Sequence, residues 1–494
     1  MLLLGIDLGT SSVKVSVLDA GNGSVLASAQ YPETEAAIIS HHPGWAEQSP
    51  NQWWHDVKAA ILKLHAIGVY NPSDIGAIGI AYQMHGLVLV DSHQNVIRDS
   101  IIWCDNRAVS LGEKAFEQIG KDYCLTHLLN SPGNFTASKL AWVKQNEPEH
   151  YAQIHKMMLP GDFIAMKLTG EITTTIAALS EGMFWDFKNN CLSEVVMDYY
   201  GLDAQHIPAI KNVFDTHGYV SEHIANELGF TKGISVTYKA GDQQNNALSL
   251  NVLQPGEVAA TAGTSAVIYA VSDSLQADTA SRVNSFAHVN HTLQQNSIGV
   301  LLCINGAGIS NSWMKNKVGA RSYEEMNALA ASVAPGSNGV SVLPFGNGSE
   351  RMLHNKNIGA HISGLDFNRH EPAHLFRAVQ EGVVFGMQYG FKVLQQNGVQ
   401  PTVIRAGKAN MYLSDVFVDC FVNTLHVPLE LYHTDGSKGA AIGAGYGAKV
   451  YATIEEAFVN SKPLRVIEPS GTNDYAAAYE NWEQQLALQI KNNQ

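Results

Sequence analysis

Positive charge is scarce in this sequence. Against 45 Asp and Glu it carries only 31 Lys and Arg in 494 residues, a formal charge of −14. So acidic a chain offers no general footprint for a phosphate backbone, which excludes a nucleic-acid partner as its main business. A local anion site stays open, because backbone N–H groups also hold phosphate. Charged residues of both signs reach only 15% against 45% hydrophobic, too apolar a mixture for a disordered chain. Long apolar runs are missing as well. No stretch of about 18 purely apolar residues occurs, and the nearest candidate, 297–314, is broken by Asn, Ser and Gly. Met1–Asp7 lacks a basic segment and meets a carboxylate at once, so neither a secretory leader nor a membrane span is expected. Five cysteines (Cys104, Cys124, Cys191, Cys303, Cys420) are odd in number, far apart and without a CxxC pair. They read as reduced thiols of a cytoplasmic protein, with no disulfide framework or zinc site. Walker A, GxGxxG and HExxH patterns are all absent, which disfavours P-loop, Rossmann and zincin readings. The length fits two large domains or three ordinary ones.

What is present is a hairpin. Leu2–Ile6 is a short apolar run, Asp7-Leu8-Gly9-Thr10-Ser11-Ser12 is turn-like, and Val13–Leu18 alternates with period two. With Ser24–Gln30 this predicts three early strands in a meander opening a mixed sheet. About 250 residues later the pattern returns: Val258–Thr261, the turn Ala262-Gly263-Thr264-Ser265, then Ala266–Val271. One copy per half of the chain signals duplicated architecture, two similar lobes with a cleft between them. The boundary is expected near 245–255, giving lobes 1–245 and 246–494. Between the hairpins the spacing predicts helices at 52–68, 108–120, 136–146 and 150–168, and strands at 75–81, 87–91 and 234–239. Helices at 322–334, 371–396, 411–426 and 438–450 alternate with strands in the second half, so the class is α/β.

Each hairpin would aim consecutive N–H groups and hydroxyls at one point, an anion nest. Asp7 cannot itself bind phosphate, since like charges repel; it makes sense beside a cation, most naturally Mg²⁺ held mainly through water. Asp242 follows a strand and a glycine and precedes a helix. It is either an N-cap or a base that accepts the proton of a substrate hydroxyl in phosphoryl transfer. His85, between Gln83-Met84 and Gly86, is either a polyol ligand or a satisfied core histidine. Trp53 and Trp54 read as core. The small-residue loops Asn305–Gly308 and Ala406–Asn410 read as helix entries, or as places where backbone approaches a flat ligand such as adenine.

Gly5-Ile6-Asp7-Leu8-Gly9-Thr10-Ser11-Ser12-Val13-Lys14, Ala262-Gly263-Thr264-Ser265 and Gly241-Asp242-Gln243 resemble, in order and spacing, the two phosphate hairpins and the catalytic-Asp segment of the FGGY family of carbohydrate kinases. The resemblance implies a two-lobed, duplicated actin/hexokinase-like (ribonuclease H-like) α/β fold with a central cleft. It implies ATP and Mg²⁺ as cofactors, a small sugar as partner, and a homodimer as assembly. Site roles follow from it too. Asp242 would be the base and, with Gln83, Met84, His85, Trp103, Asp105 and Gln243, would bind the sugar. Gly9, Thr10, Ser11, Ser12, Lys14, Gly263, Thr264, Ser265, Gly308, Ser312, Gly407 and Asn410 would hold the nucleotide, and Asp7 the metal through water. His42–Gln48, Gln83–Leu87, Trp103–Arg107, Lys139–Lys144, Leu159–Asp162 and Gly348–Arg351 are similar to the family's xylulose-phosphorylating members. Glycerol-phosphorylating ones would carry Arg-Glu where Met84-His85 stand. The implied activity is phosphorylation of a ketopentose, D-xylulose first. Another ketose or polyol such as ribulose, or a non-catalytic sugar- or nucleotide-binding regulator, are the alternatives. Two segments depart from the family's pattern: Arg405–Asn410, in place of a Gly-rich adenosine loop, and Ser180–Trp185.

Overall fold

The computed structural model describes residues 1–471 and 474–493. Its first sheet contains strands β1 (Leu2–Leu8), β2 (Val13–Asp19), β3 (Val25–Tyr31), β4 (Ile75–Tyr82), β5 (Gly218–Tyr219) and β6 (Ser235–Gly241). They lie in the order β5-β6-β4-β1-β2-β3. β1, β2 and β3 pair antiparallel, whereas β4 and β6 run parallel to β1. The second sheet holds β7 (Glu257–Ala262), β8 (Ala266–Ser272), β9 (Asn284–Ala287), β10 (Ile298–Ile304), β11 (Val403–Gly407), β12 (Leu429–Tyr432) and β13 (Arg465–Ile467), ordered β9-β10-β8-β7-β11-β12-β13. There β7, β8 and β10 are antiparallel and β11 and β12 parallel to β7. The repeated hairpin in the sequence therefore marks two sheets of one topology, the ribonuclease H-like duplication.

Parallel strands are covered on both faces, which is why β1 is apolar almost throughout. One cover is the helix Pro50–His65, which Pro50 opens at its first turn and which buries Trp53, Val57, Ile61 and Leu64 at helical spacing. The other comes from the far end of the chain. The helix Gly436–Gly447 packs against β1, β4 and β6 of the first sheet. Its approach depends on missing side chains: a Cβ on Gly5 would lie 1.8 Å from the Ser437 carbonyl oxygen, and one on Gly79 2.0 Å from that of Ala440. Beside it, between the two sheets, runs the helix Asp242–Ser249, with Asn245 donating to the Gly436 carbonyl at 2.8 Å.

Most of the anticipated helices form near their expected places, at Val109–Gln118, Thr136–Asn146, Tyr323–Ala331 and Pro372–Gln396. The single helix expected over 150–168 is corrected. A short helix, Pro148–Tyr151, gives way to a strand, Lys156–Met158, that pairs with Val88–Val90, and Pro160 then starts a new helix, Pro160–Thr169. In the Ala406–Asn410 stretch Ala406 and Gly407 close β11, Ala409 caps a short 3-10 helix at Asn410–Leu413, and the α-helix expected from 411 begins at Asp415. All five cysteines are free, and among the described residues no helix is long and apolar enough to cross a membrane.

Candidate active site

Both hairpin turns leave backbone donors unused. Among the described residues, the N–H groups of Thr10, Ser11 and Ser12, and those of Gly263, Thr264 and Ser265, take no backbone partner. Three consecutive free donors in a tight turn form an anion nest. The helix Ala307–Met314 is pressed against the second turn, where a Cβ on Gly308 would sit 1.7 Å from the Gly263 carbonyl oxygen. A cavity of about 860 Å³ opens there, lined by Gly263, Thr264, Gly308, Ser312 and Asn410 with Trp313, Tyr323 and Met411. Five of the expected nucleotide residues thus meet in one cavity wide enough for a nucleoside. Gly407 stands apart from its lining, at the end of β11.

Asp7 and Asp242 form the acidic centre. Asp242 is the first residue of its helix, with Gly241 as the cap, so the N-cap alternative is not what the helix uses. Burial, then the charge of Asp7, push its carboxyl up to about 7, while hydrogen bonds from Gln243 pull the other way. Burial and Asp435 raise Asp7 to about 6, with Lys14 lowering it. Two carboxyls held above their usual range beside free N–H nests are a place where positive charge is wanted. Lys14 does not meet that need alone, because its Nζ lies 2.5 Å from Asp435, the side chain capping the Gly436–Gly447 helix. Among the described residues no cluster of three His, Cys, Asp or Glu could hold a metal. Asp7 is the carboxylate that would hold a Mg²⁺ ion here, mainly through water, and the ion would supply the missing positive charge.

Met84 is buried and packs over Gly241, the cap of the Asp242 helix. Its neighbour His85 has φ +62°, a left-handed conformation unusual for a side-chain-bearing residue. Three contacts fix it there. Its Nδ1 donates to the Glu181 carbonyl at 3.2 Å, and its ring packs against Phe135 and Phe286, with centroids 4.7 and 5.3 Å away. The buried ammonium of Lys139 donates to the His85 carbonyl at 2.7 Å and to that of Ile102 at 3.0 Å. Burial, then the Lys139 charge, push the imidazole down to about 3, so it is neutral. With Nδ1–H donating, Nε2 is left as an acceptor for a substrate hydroxyl.

Other expected sugar ligands face inward. The Gln83 oxygen accepts from Thr10 Oγ1 at 3.1 Å and its nitrogen donates to Gln48 at 3.1 Å. Asp105 is fully buried, receiving the Ala46 N–H at 2.6 Å and the Arg107 guanidinium at 2.6–3.0 Å. Both therefore brace loops in this structure. Trp103 is half exposed and donates its indole N–H to Thr10 Oγ1 at 2.9 Å, tying the sugar side to the first hairpin. Gln243 keeps a buried oxygen without a partner among the described residues. Lys139 and Gln48, which hold His85 and Gln83, lie in segments that carried the resemblance but had no role assigned to them; only the fold brings them to these carbonyls and amides.

Arg405, in the divergent loop, turns away from the cavity. It pairs with Glu257 and Glu430 on the neighbouring strands at 2.9 Å each and donates to the Asn251 carbonyl. Arg405→Ala is therefore expected to lower stability by about 1–3 kcal/mol, while the nucleotide KM moves less than about threefold. Thermal unfolding and initial rates at varied nucleotide check both halves.

Residues 2–249 match the N-terminal domain of the FGGY family of carbohydrate kinases, and residues 258–448 its C-terminal domain. The chain is 30% identical over 484 residues to the xylulose kinase of Escherichia coli strain K12, covering 96% of both. The crystal structure of a xyloylose kinase from Brucella ovis superposes with a TM-score of 0.88 at 27% identity, over 99% of this chain and 98% of that one. A gluconate kinase structure from Lactobacillus acidophilus reaches 0.89 at 21% identity, over 99% and 98%, a likeness of fold alone. With two matched domains spanning most of its length, this chain belongs to the FGGY family and is a carbohydrate kinase.

Proposed function

We propose that the protein transfers the γ-phosphoryl group of ATP to the terminal hydroxyl of D-xylulose, giving D-xylulose 5-phosphate, in the cytoplasm. The observations that carry the reading are Asp242 beside Asp7, the strand residue that leads into the first donor nest, and Met84, which packs against the Gly241 cap of the Asp242 helix with the neutral His85 as its neighbour. The choice of sugar is supported by the xylulose kinases with which the chain shares its length.

In this mechanism Asp242 orients the hydroxyl and accepts its proton late, because a sugar hydroxyl has little tendency to ionise early. His85 Nε2 accepts from a second hydroxyl, and Trp103 and Gln243 border the sugar. The nests at Thr10–Ser12 and Gly263–Ser265 receive the phosphate oxygens, so positioning and preorganised donors supply most of the barrier reduction. Mg²⁺ bound at Asp7 would neutralise charge on the phosphates. The adenosine end lies in the cavity between Gly308 and Asn410.

The test is ADP release with Mg-ATP against D-xylulose, D-ribulose, L-ribulose, L-xylulose, D-fructose, gluconate and glycerol. D-xylulose is expected to exceed every other sugar by at least about tenfold in kcat/KM, roughly one well-placed hydroxyl. Preference for another sugar overturns the substrate and keeps the kinase. No turnover with any sugar overturns the catalytic reading.

A further inference from the structure

Behind the catalytic turn lies a carboxyl that the mechanism does not use. Glu181 ends the helix Ile176–Glu181, in one of the two segments that depart from the family's pattern, and is fully buried. The Tyr82 phenol is its hydrogen-bonding neighbour; beyond that, its oxygens and both polar atoms of the equally buried Gln244 amide have no partner among the described residues. The Glu181 carboxyl and the Gln244 amide converge on one spot beside Gly241. Around the point where a Cβ on Gly241 would stand, Gln244 Oε1 is 2.6 Å away, Met84 Cγ 2.7 Å and Glu181 Oε2 2.9 Å. Gly241 is the residue that caps the helix of Asp242.

Two oxygens turned toward one point repel unless a proton lies between them. A carboxylate can only accept, as can an amide oxygen; a carboxylic acid has an O–H to give. An unpaired buried carboxylate is also far more costly than its neutral form. We propose that Glu181 is a positioning residue which works as a carboxylic acid, giving its O–H to the Gln244 side chain and so locking the Gly241–Asp242 turn against Met84 and His85. The idea rests on the reading of Asp242 as the base. It adds a second carboxyl whose proton is retained while that of Asp242 is exchanged.

The surroundings agree. Facing Glu181 are the Tyr82 phenol from β4, Asp162 from the Pro160–Thr169 helix, Asp242 from its own helix, and Tyr269 from β8. Lys139, from the Thr136–Asn146 helix, is the cation among them, and its ammonium is already committed to the His85 and Ile102 carbonyls. Burial holds the Glu181 carboxyl well above the usual range; the hydrogen bond with the Tyr82 phenol is the strongest influence against the rise, the charges of Asp242 and Asp162 add to it, and Lys139 opposes it weakly. The backbone of Glu181 receives the His85 Nδ1–H, so the same residue touches both sides of the reacting centre.

Three variants of the whole protein test this. Glu181→Gln keeps shape and a donor but cannot ionise; it is expected to hold kcat within about fivefold of the parent. Glu181→Ala removes the donor and is expected to lose at least about thirtyfold in kcat with sugar KM moved less than about threefold, the split of a group acting on the turn. The pH profile separates positioning from mere packing: the parent loses kcat at alkaline pH as Glu181 ionises, and Glu181→Gln loses less. A readout free of activity is the infrared carbonyl band of a protonated carboxylic acid. At about pH 8, above the values of Asp7 and Asp242, the parent and Asp242→Asn should show it and Glu181→Gln should lack it. Absence of that band in the parent, or an alkaline limb identical in Glu181→Gln, overturns the proposal. The infrared result does not depend on turnover, so failure of the base assignment would appear separately, as full turnover in Asp242→Asn.

Discussion

Asp242→Asn is expected to lose about a thousandfold or more in kcat, within the range that a positioned general base supplies, while the sugar KM changes by less than about threefold. Its fold should survive and even gain. Asp242 is raised from 3.8 to about 7, so the folded state binds a proton that the unfolded chain releases. A carboxyl raised in this way favours folding fully below its unfolded value, and that contribution disappears as pH climbs through the folded value near 7. Replacing it with Asn should therefore raise the melting temperature at neutral and alkaline pH and leave it unchanged near pH 3. The same titration shapes the rate. In the parent, kcat/KM of the free enzyme should fall as pH drops below about 7, because a protonated Asp242 cannot accept the hydroxyl proton. The residual rate of the variant should lack that limb. ADP release and thermal unfolding across pH check these outcomes together, and unchanged turnover in the variant would remove Asp242 from the mechanism.

Gly5→Ala should damage the protein as badly by a different route. The added methyl would meet the Ser437 carbonyl oxygen at 1.8 Å, with the Ala441 nitrogen at 2.6 Å. Both obstacles are backbone of the Gly436–Gly447 helix, so no side chain can swing aside, and the helix must lift from the sheet. Overpacking in a yielding core costs about 1–3 kcal/mol; here about 3–5 kcal/mol is expected, a fall of roughly 10 °C or more in melting temperature. Activity should fall with it, because that helix carries Asp435 beside Asp7 and Lys14. Gly79→Ala, aimed at the Ala440 carbonyl at 2.0 Å, should behave alike. Gly21→Ala, in an exposed turn with its nearest atom at 3.4 Å, should stay within about 0.5 kcal/mol of the parent in chemical denaturation. Equal stability of the Gly5 and Gly21 variants would contradict this packing.

Local chemistry was legible in the sequence and distant partnership was not. A hairpin of Gly, Thr and Ser between apolar runs is a short-range pattern, so both nests and the duplicated sheets could be anticipated from it. Asp242 could be placed after its strand for the same reason. The amphipathic pattern of 438–450 predicted a helix but named no partner, because periodicity reports a buried face and not the sheet that buries it. Nor could composition tell that Gln83 would be held by Gln48 and Thr10, or Asp105 by Arg107 and Ala46. Arg405 looked like bulk in a nucleotide loop, yet β7 and β12 place Glu257 and Glu430 on either side of it. In the 150–168 stretch the apolar residues of Lys156–Met158 serve a strand, and Pro160 restarts the chain as a helix.

The seating of Gly436–Gly447 on the first sheet also bears on how the protein is made. A ribosome releases β1 to β6 long before it reaches residue 436, so the nascent chain waits with one face of that sheet bare. The narrow bed at Gly5 and Gly79 admits backbone and little else. Completion of the first lobe is thus deferred until almost the whole polypeptide has emerged, and a gene cut between 249 and 257 would yield an N-terminal fragment without its own lid. Such a fragment would need the other piece to reach its native state, which makes the two halves of the message one folding unit.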